Sequence, residues 1–222
     1  MSKKFLAIFF LFVFGFYLIW NPVQTVFSSG KSKGIIVIDV GHGGSDPGKV
    51  SEDGTEEKDI NLEIAGYLRD YLTAQDFTVY MDREEDRDLA VEGASGKKRS
   101  DMRNRILFFE EKKADCVISI HQNSFPEASS HGAQVFYYGE SGDGKKLASY
   151  IQKELLEFDI TNKRGAKENT GYYILKKSKM PAVIVECGFL SNPEELAKLK
   201  DKDYQKKLAY TISKGICKYF RN

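Results

Sequence analysis

The chain has 222 residues, a length that suits one substantial domain, and its 41% hydrophobic content supports a packed core. Lys and Arg number 33 against 32 Asp and Glu, so the net charge of +1 excludes nucleic-acid binding through bulk charge. Four of the basic residues and none of the acidic residues precede Gly34, so the rest of the chain is slightly acidic.

The N-terminal segment has the pattern of an export signal. Lys3 and Lys4 precede residues 5–20, in which all but one residue are apolar. A basic start followed by an apolar run is typical of a signal peptide or a signal anchor. A buried core helix is the weaker alternative, because the run has no polar face. We expect residues 1–29 to be this signal or anchor with its linker, residues 30–222 to form the folded domain, and the protein to act outside the cytoplasmic membrane.

Short apolar runs alternate with helical patterns along the rest of the chain. Aliphatic and β-branched runs predict six strands, at residues 34–40, 77–81, 116–120, 133–138, 172–175 and 182–187. Apolar residues at helical spacing predict helices at residues 57–76, 100–113, 147–156 and 204–219, and Asn192-Pro193 is typical of a further helix start. Strands separated by helices indicate a single α/β domain: a mostly parallel twisted sheet of about six strands, with helices on both faces.

The three cysteines, Cys116, Cys187 and Cys217, are widely spaced and include no Cys-x-x-Cys pair. Cys116 and Cys187 lie within apolar runs, where a thiol behaves as a small buried hydrophobic group. We therefore expect no disulfide framework, even in an exported protein.

Polar side chains follow three of the predicted strands. His42 lies in a glycine-rich loop after the first strand, His121 ends the third, and Glu186 ends the last. An acidic run at residues 56–59 precedes the first helix. Because the carboxyl ends of parallel strands meet at one edge of an open sheet, we expect these groups to share a crevice.

Two imidazoles and one carboxylate, with a position left for water, form the ligand set of a catalytic zinc site. Zinc lowers the pKa of water and polarises a carbonyl, while a second carboxylate moves the proton. The strand ends supply each of these parts. Within the acidic run the residue types leave the ligand open, since Glu56, Glu57 and Asp59 would each also stabilise a helix N-terminus.

Each of these residues also has an ordinary explanation. His42 suits a turn, and His121 suits a hydrogen-bonding position at a strand end. Glu186 is harder to explain in this way, because it follows an apolar run in which an unpaired carboxylate is costly to bury. His131 lies in a turn-like stretch and is expected to be exposed. The glycine-rich loop at residues 41–54 lacks the spacing of phosphate-binding and dinucleotide-binding loops, so no nucleotide ligand is expected.

Five ordered stretches carry a family resemblance, at residues 38–48, 54–58, 119–123, 162–165 and 180–192. Together they resemble the zinc-dependent N-acetylmuramoyl-L-alanine amidases of the type 3 class, which cut the bond between muramic acid and the first L-Ala of the peptidoglycan stem peptide. The resemblance implies one zinc ion per chain, with His42, Glu57 and His121 as its ligands. It also implies Glu186 as the general base, and it selects Glu57 over Glu56.

The short single domain behind an apolar segment, together with residues 165–173, is similar to the germination-specific amidases of endospore formers. That similarity implies a role in germination and in spore-cortex maturation, where peptide removal allows a muramic-δ-lactam to form. It also implies a location in the developing spore envelope. Two alternatives are a zinc peptidase that cuts within the stem peptide and an inactive peptidoglycan-binding module; the full set of site residues argues against the second.

Peptidoglycan is the expected partner, and Arg164 and Asn123 are candidate contacts to it. Arg164 precedes a glycine in a polar loop, where its guanidinium could hold a stem-peptide carboxylate through two hydrogen bonds. A surface arginine on a solvated loop explains the same position equally well.

The active site is expected to be open in the isolated domain. Only eight residues, 124–131, separate Asn123 from Gly132, which is too few for a plugging helix with two connections. An exported wall hydrolase needs restraint, so we expect it to come from the timing of expression, from confinement, or from a regulatory protein partner at the membrane or in the spore envelope.

Overall fold

Six strands form the sheet in the computed structural model, which describes residues 32–221. They are β1 Ile35–Val40, β2 Thr78–Met81, β3 Cys116–Asn123, β4 Gln134–Tyr137, β5 Lys167–Glu168 and β6 Ala182–Phe189. Their order across the sheet is β2-β1-β3-β6-β4-β5. All neighbouring pairs are parallel except β4 with β6, which is antiparallel. The mostly parallel six-stranded sheet is thus confirmed.

The helices of the described part are α1 Glu57–Thr73, α2 Lys97–Glu111, α3 Gly142–Phe158, α4 Tyr173–Lys177, α5 Pro193–Lys200 and α6 Lys202–Arg221. The predicted start at Asn192 is confirmed, since its side chain accepts hydrogen bonds from the amides of Glu194 and Glu195. Among these helices none is long and apolar enough to cross a membrane. The predicted signal or anchor at residues 1–29 lies outside the described residues.

Helices cover both faces of the sheet because the central strands are apolar on both sides. In β1 the side chains of Ile36 and Ile38 belong to one buried cluster, which α1, α3 and α6 complete. The intervening Val37 belongs to a second cluster, which α2 and α4 complete. Alternate residues of a strand point to opposite faces, so a continuous apolar run indicates burial on both. This pattern confirms the predicted helices on both faces.

One predicted strand is wrong. Residues 172–175 were expected to be extended because they are aromatic and aliphatic, but Tyr173–Lys177 is a short helix. The helix directs Ile174 and Leu175 into the second cluster, and this burial overrides the local β preference. The sixth strand is instead Lys167–Glu168, a two-residue edge strand too short and too polar to give a sequence signal.

Candidate active site

His42 lies just beyond the end of β1, in a loop whose backbone repeatedly adopts the left-handed conformation that favours glycine. His42 itself has φ of 62°, and Gly43 and Gly44 also have positive φ. A Cβ added at Gly41 would lie 2.5 Å from His121 Cε1. One added at Gly48 would lie 2.6 Å from Glu57 Oε2. The glycines therefore let the loop fold back so that the side chains of His42, Glu57 and His121 meet.

Glu57 is the first residue of α1 and is only 2% exposed. Its Oε1 accepts a hydrogen bond from the amide of Gln122 at 3.0 Å, and its Oε2 accepts one from the amide of Lys49 at 2.9 Å. Burial raises the pKa of Glu57, but hydrogen bonds from His121 and His42 outweigh it and hold that pKa well below its usual range. Glu57 is thus a fixed, ionised carboxylate.

The start of α1 places Glu57, and not Glu56, beside the two histidines. Glu56 has extended backbone before α1, and its side chain makes no capping hydrogen bond. It forms an ion pair with Lys58 at 3.1 Å instead. Glu57, one residue on, points inward to the two histidines, whereas Glu56 points to the surface.

The two imidazoles approach Glu57 from the loop after β1 and from β3. His42 Nε2 lies 3.2 Å from Glu57 Oε2, and His121 Nδ1 lies 2.9 Å from Oε1. One nitrogen or oxygen atom from each of the three residues lies within 4.8 Å of the others. The structure therefore brings together the three residues that the sequence predicts as metal ligands.

A further carboxylate, Asp46, touches this cluster from the loop. Its Oδ2 lies 3.0 Å from His42 Nδ1, and the same oxygen pairs with Lys98 of α2. Burial raises the pKa of Asp46, but Lys98 and His42 bring it below its usual range. Nothing in the residue pattern marks Asp46, although it lies four positions after His42 in the glycine-rich loop. The carboxylate of Asp46 therefore lies beside the second nitrogen of the His42 ring, while the first nitrogen faces Glu57.

Glu186 lies on β6 directly beside His121 of β3, its register partner. The carboxyl is 8% exposed, and its Oε2 has no hydrogen-bond partner among the described residues. Burial raises the pKa of Glu186 to about 7, and the opposing charge of His121 only partly offsets it. A buried carboxyl that titrates near neutral pH, outside the three-residue cluster, is suited to moving a proton.

The two candidate substrate contacts, Arg164 and Asn123, lie outside the cluster of His42, Glu57 and His121. Arg164 donates from Nε to the carbonyl of His131 at 2.7 Å, and its guanidinium lies 4.6 Å from the centre of the Phe189 ring. Asn123 ends β3, and its Oδ1 accepts a hydrogen bond from the Ser124 amide. Arg164 is thus held near β4, which lies on the opposite side of β6 from β3. Asn123 lies on β3, two residues after His121. His131 is exposed, as predicted.

A cavity of about 150 Å³ opens beside the cluster, between α2 and α4. Its lining includes His42, His121 and Glu186, together with the apolar or aromatic side chains of Met102, Tyr172, Tyr173, Ile174 and Ile184. Within the described chain neither residues 83–96 nor residues 124–131 form a helix over it. The His42 and His121 side chains remain 18% and 22% exposed, so the cluster is open to solvent.

Comparison with known proteins gives the class of this molecule. A family described as N-acetylmuramoyl-L-alanine amidase matches residues 36–218, and the chain belongs to that family. Its α/β fold is the fold of the family's amidases. Its enzyme class is accordingly that of an amidase acting on peptidoglycan.

Three members of the family are similar to this chain over most of their length. The germination-specific N-acetylmuramoyl-L-alanine amidase of Bacillus subtilis is 41% identical over 213 residues, which cover 95% of this chain and 90% of that protein. The CwlD amidase of Clostridioides difficile, solved in complex with the GerS lipoprotein, superposes with a TM-score of 0.82 at 39% identity, over 85% of this chain and 98% of that one. An N-acetylmuramoyl-L-alanine amidase from Clostridium difficile 630 superposes with a TM-score of 0.77 at 31% identity, over 86% and 99%.

Proposed function

We propose that this chain is a zinc-dependent hydrolase of the amide bond between N-acetylmuramic acid and the L-Ala of the stem peptide, with residues 30–222 as its catalytic domain. One zinc ion per chain would be held by His42, Glu57 and His121. The observation that carries this proposal is the convergence of their ligand atoms within 4.8 Å. Two imidazoles and an ionised carboxylate are a donor set that zinc prefers, so the residues present fit the ion.

The remaining chemistry falls to Glu186. Zinc, when bound, would polarise the scissile carbonyl and make the attacking water more acidic. The free Oε2 of Glu186 accepts a proton from that water and then delivers it to the nitrogen of the departing L-Ala. A carboxyl with a pKa of about 7 can do both near neutral pH.

Substrate contacts are proposed at Arg164 and Asn123. The Arg164 guanidinium donates to His131 through Nε and lies 3.5 Å from the Gln134 side-chain oxygen through Nη1. Gln134 is the register partner of Glu186. Arg164 therefore stands one strand away from the proposed base, where it could receive a stem-peptide carboxylate. Asn123 ends the strand that carries His121.

The biological setting is proposed from the relatives. The germination-specific amidase of Bacillus subtilis is 41% identical to this chain, which supports a role in cortex maturation through muramic-δ-lactam formation and in germination. Such an enzyme works outside the cytoplasmic membrane, in the spore envelope. The basic and apolar pattern of residues 1–29 supports export by a signal peptide or retention by an anchor.

A regulatory protein partner is also proposed. The described part of the chain has an open site with no covering helix, so restraint has to come from elsewhere. The CwlD structure contains the GerS lipoprotein, and a partner of that kind at the membrane or in the spore envelope would fit this chain. The timing of expression and confinement by the N-terminal segment are the other means of restraint.

Digestion of purified peptidoglycan tests the reaction. The zinc-loaded full chain should release stem peptides with free L-Ala amines and leave glycans without peptides, as seen by mass analysis of the products. New amines elsewhere in the stem peptide would identify a peptidase, and binding without any cleavage would identify an inactive peptidoglycan-binding module. Vegetative and cortex peptidoglycan digested side by side would test the proposed setting.

A further inference from the structure

Two arginines are almost completely buried next to the proposed zinc site. Arg83 follows β2 and is 1% exposed, and Arg105 lies on α2 and is 2% exposed. Neither residue belongs to the ligand cluster. A buried guanidinium needs a partner for each of its N–H groups, so the groups that these two contact indicate what they do.

Both arginines donate to the loop that carries His42. The carbonyl of Val40 accepts hydrogen bonds from Arg105 Nη1 at 2.8 Å and from Arg83 Nε at 3.1 Å. The carbonyl of Gly41 accepts one from Arg83 Nη2 at 3.0 Å, and the carbonyl of His42 accepts one from Arg105 Nη2 at 2.7 Å. Three consecutive carbonyls, at the point where β1 ends, are therefore fixed by two rigid guanidinium groups.

Arg83 also links two ligand-bearing segments to each other. Its Nη2 donates both to the carbonyl of Gly41 and to that of Lys58, the residue after Glu57. Every hydrogen bond that Arg83 makes within the described residues goes to a backbone carbonyl. Arg83 is thus a buried side chain that joins the His42 loop directly to the start of α1.

Arg105 is itself held by three carboxylates. Its Nε donates to Asp101 at 2.9 Å, and its Nη1 pairs with Asp39 and Asp82, each at 2.9 Å. The charge of a buried ion is tolerated only with partners in good geometry, so Arg105 has little freedom to move. Its remaining donor, Nη2, is aimed at the carbonyl of His42.

The loop needs such support because its backbone is unfavourable. His42 has φ of 62°, a left-handed conformation that is unfavourable for a non-glycine residue and persists only where the surroundings impose it. The adjoining Gly43 lies against Arg83, since a Cβ there would be 2.8 Å from Arg83 Nε. The two arginines supply the contacts that keep His42 turned toward Glu57.

We infer that Arg83 and Arg105 are positioning residues for His42, and that they set the affinity of the site for its metal. The inference rests on the proposed zinc-dependent function. A purely structural ion cluster would stabilise the fold without affecting metal binding, so metal affinity distinguishes the two roles.

The test uses the full chain and zinc alone as the probe. Arg83→Lys and Arg105→Lys keep the positive charge but lose the planar guanidinium, whose several N–H groups reach more than one carbonyl. The matched control is Glu154→Gln, which removes an equally buried charge whose ion pairs with Lys214 and Lys218 join α3 to α6. Zinc affinity is measured by competition with a chelating dye, thermal unfolding is measured on the metal-free proteins, and the visible spectrum of bound cobalt reports the ligand geometry.

We expect the arginine variants to bind zinc about 10- to 100-fold more weakly than the native chain, with an altered cobalt spectrum. We expect Glu154→Gln to lower the melting temperature without weakening zinc binding. The inference would be overturned if folded Arg83→Lys and folded Arg105→Lys both bound zinc with wild-type affinity. It would also be overturned if no folded arginine variant with weakened zinc binding could be obtained. In either case the arginines would serve the fold alone. A native chain that binds no zinc would instead overturn the proposed function.

Discussion

Glu57 and Glu186 are both buried carboxylates, yet their surroundings move their pKa values in opposite directions. Burial raises both, but Glu57 also receives hydrogen bonds from His121 and His42, which bring its pKa below the usual range. Glu186 keeps most of the effect of burial, with a pKa of about 7. One carboxylate is therefore suited to staying ionised beside a cation, and the other to exchanging a proton.

Replacing Glu186 by Gln should separate catalysis from metal binding. The amide has nearly the same shape but cannot accept the proton, so turnover should fall by about 10²–10⁴-fold or more. Zinc content should stay at the native level, because Glu186 lies outside the three-residue cluster. Amide cleavage and zinc stoichiometry measured on the same preparation check this. Loss of zinc together with activity would make Glu186 a ligand and contradict the assignment.

The neighbouring acids Glu56 and Glu57 form a matched pair for testing the metal site. Glu57→Ala removes a carboxylate that touches both imidazoles, so the protein should no longer retain stoichiometric zinc. Glu56→Ala removes a surface ion pair with Lys58, worth at most about 1 kcal/mol, and should keep its zinc. Metal analysis after gel filtration distinguishes the two. Equal retention in both variants would show that the acidic run is only a helix start.

Arg164 tests the proposed contact with the stem peptide. Loss of one charge-assisted hydrogen bond to a stem-peptide carboxylate should lower kcat/KM of Arg164→Ala by about tenfold or more, without changing zinc content. Because Arg164 also lies over the Phe189 ring, thermal unfolding of the variant is the control for a loss of packing. Unchanged kinetics would favour the ordinary explanation of a partly exposed arginine in a loop.

Two glycines of the glycine-rich loop form a matched pair of positions. Alanine at either position strains the backbone, but only alanine at one of them would crowd the proposed metal site. Gly48 and Gly54 have φ of 71° and 84°, so alanine at either position should cost about 1–2 kcal/mol of stability. A Cβ at Gly48 would lie 2.6 Å from Glu57 Oε2, whereas one at Gly54 would have no heavy atom outside its neighbours within 4 Å.

Gly48→Ala should therefore weaken zinc binding by about 10- to 100-fold, while Gly54→Ala should bind zinc as the native chain does. Dye competition on the two variants measures the difference, and their melting temperatures show whether the strain is similar. If both variants kept native affinity, the close approach at Gly48 would not shape the site.

The elements that the sequence predicts well are the buried strands. β1, β3 and β6 are apolar runs long enough to need cover on both faces, so their type and place follow from composition alone. The short helix Tyr173–Lys177 does not follow, because its residues favour strands locally and only the burial of Ile174 and Leu175 selects the helix. The antiparallel direction of β4 has no local signal either, since it depends on the path of the connecting chain.

At the scale of the whole molecule, the sequence predicts which groups meet, but not what holds them there. His42 follows β1, and His121 and Glu186 lie near the carboxyl ends of β3 and β6. These ends share one edge of the sheet, so the meeting of the three residues is a consequence of parallel topology. The choice of Glu57 over its neighbour depends on where α1 begins. The burial of Arg83 and Arg105 depends on carbonyls that lose their sheet partners where β1 ends, which no residue pattern shows.

The most direct test of the account is a zinc titration of the metal-free full chain, with amide cleavage of peptidoglycan as the readout. Chelation should abolish the release of stem peptides with free L-Ala amines. Added zinc should restore that release in proportion, with saturation at one zinc ion per chain, since one cluster of two imidazoles and a carboxylate lies at the carboxyl edge of the sheet among residues 32–221. Full cleavage by the metal-free chain, or no return of activity when one zinc ion is bound, would contradict the account.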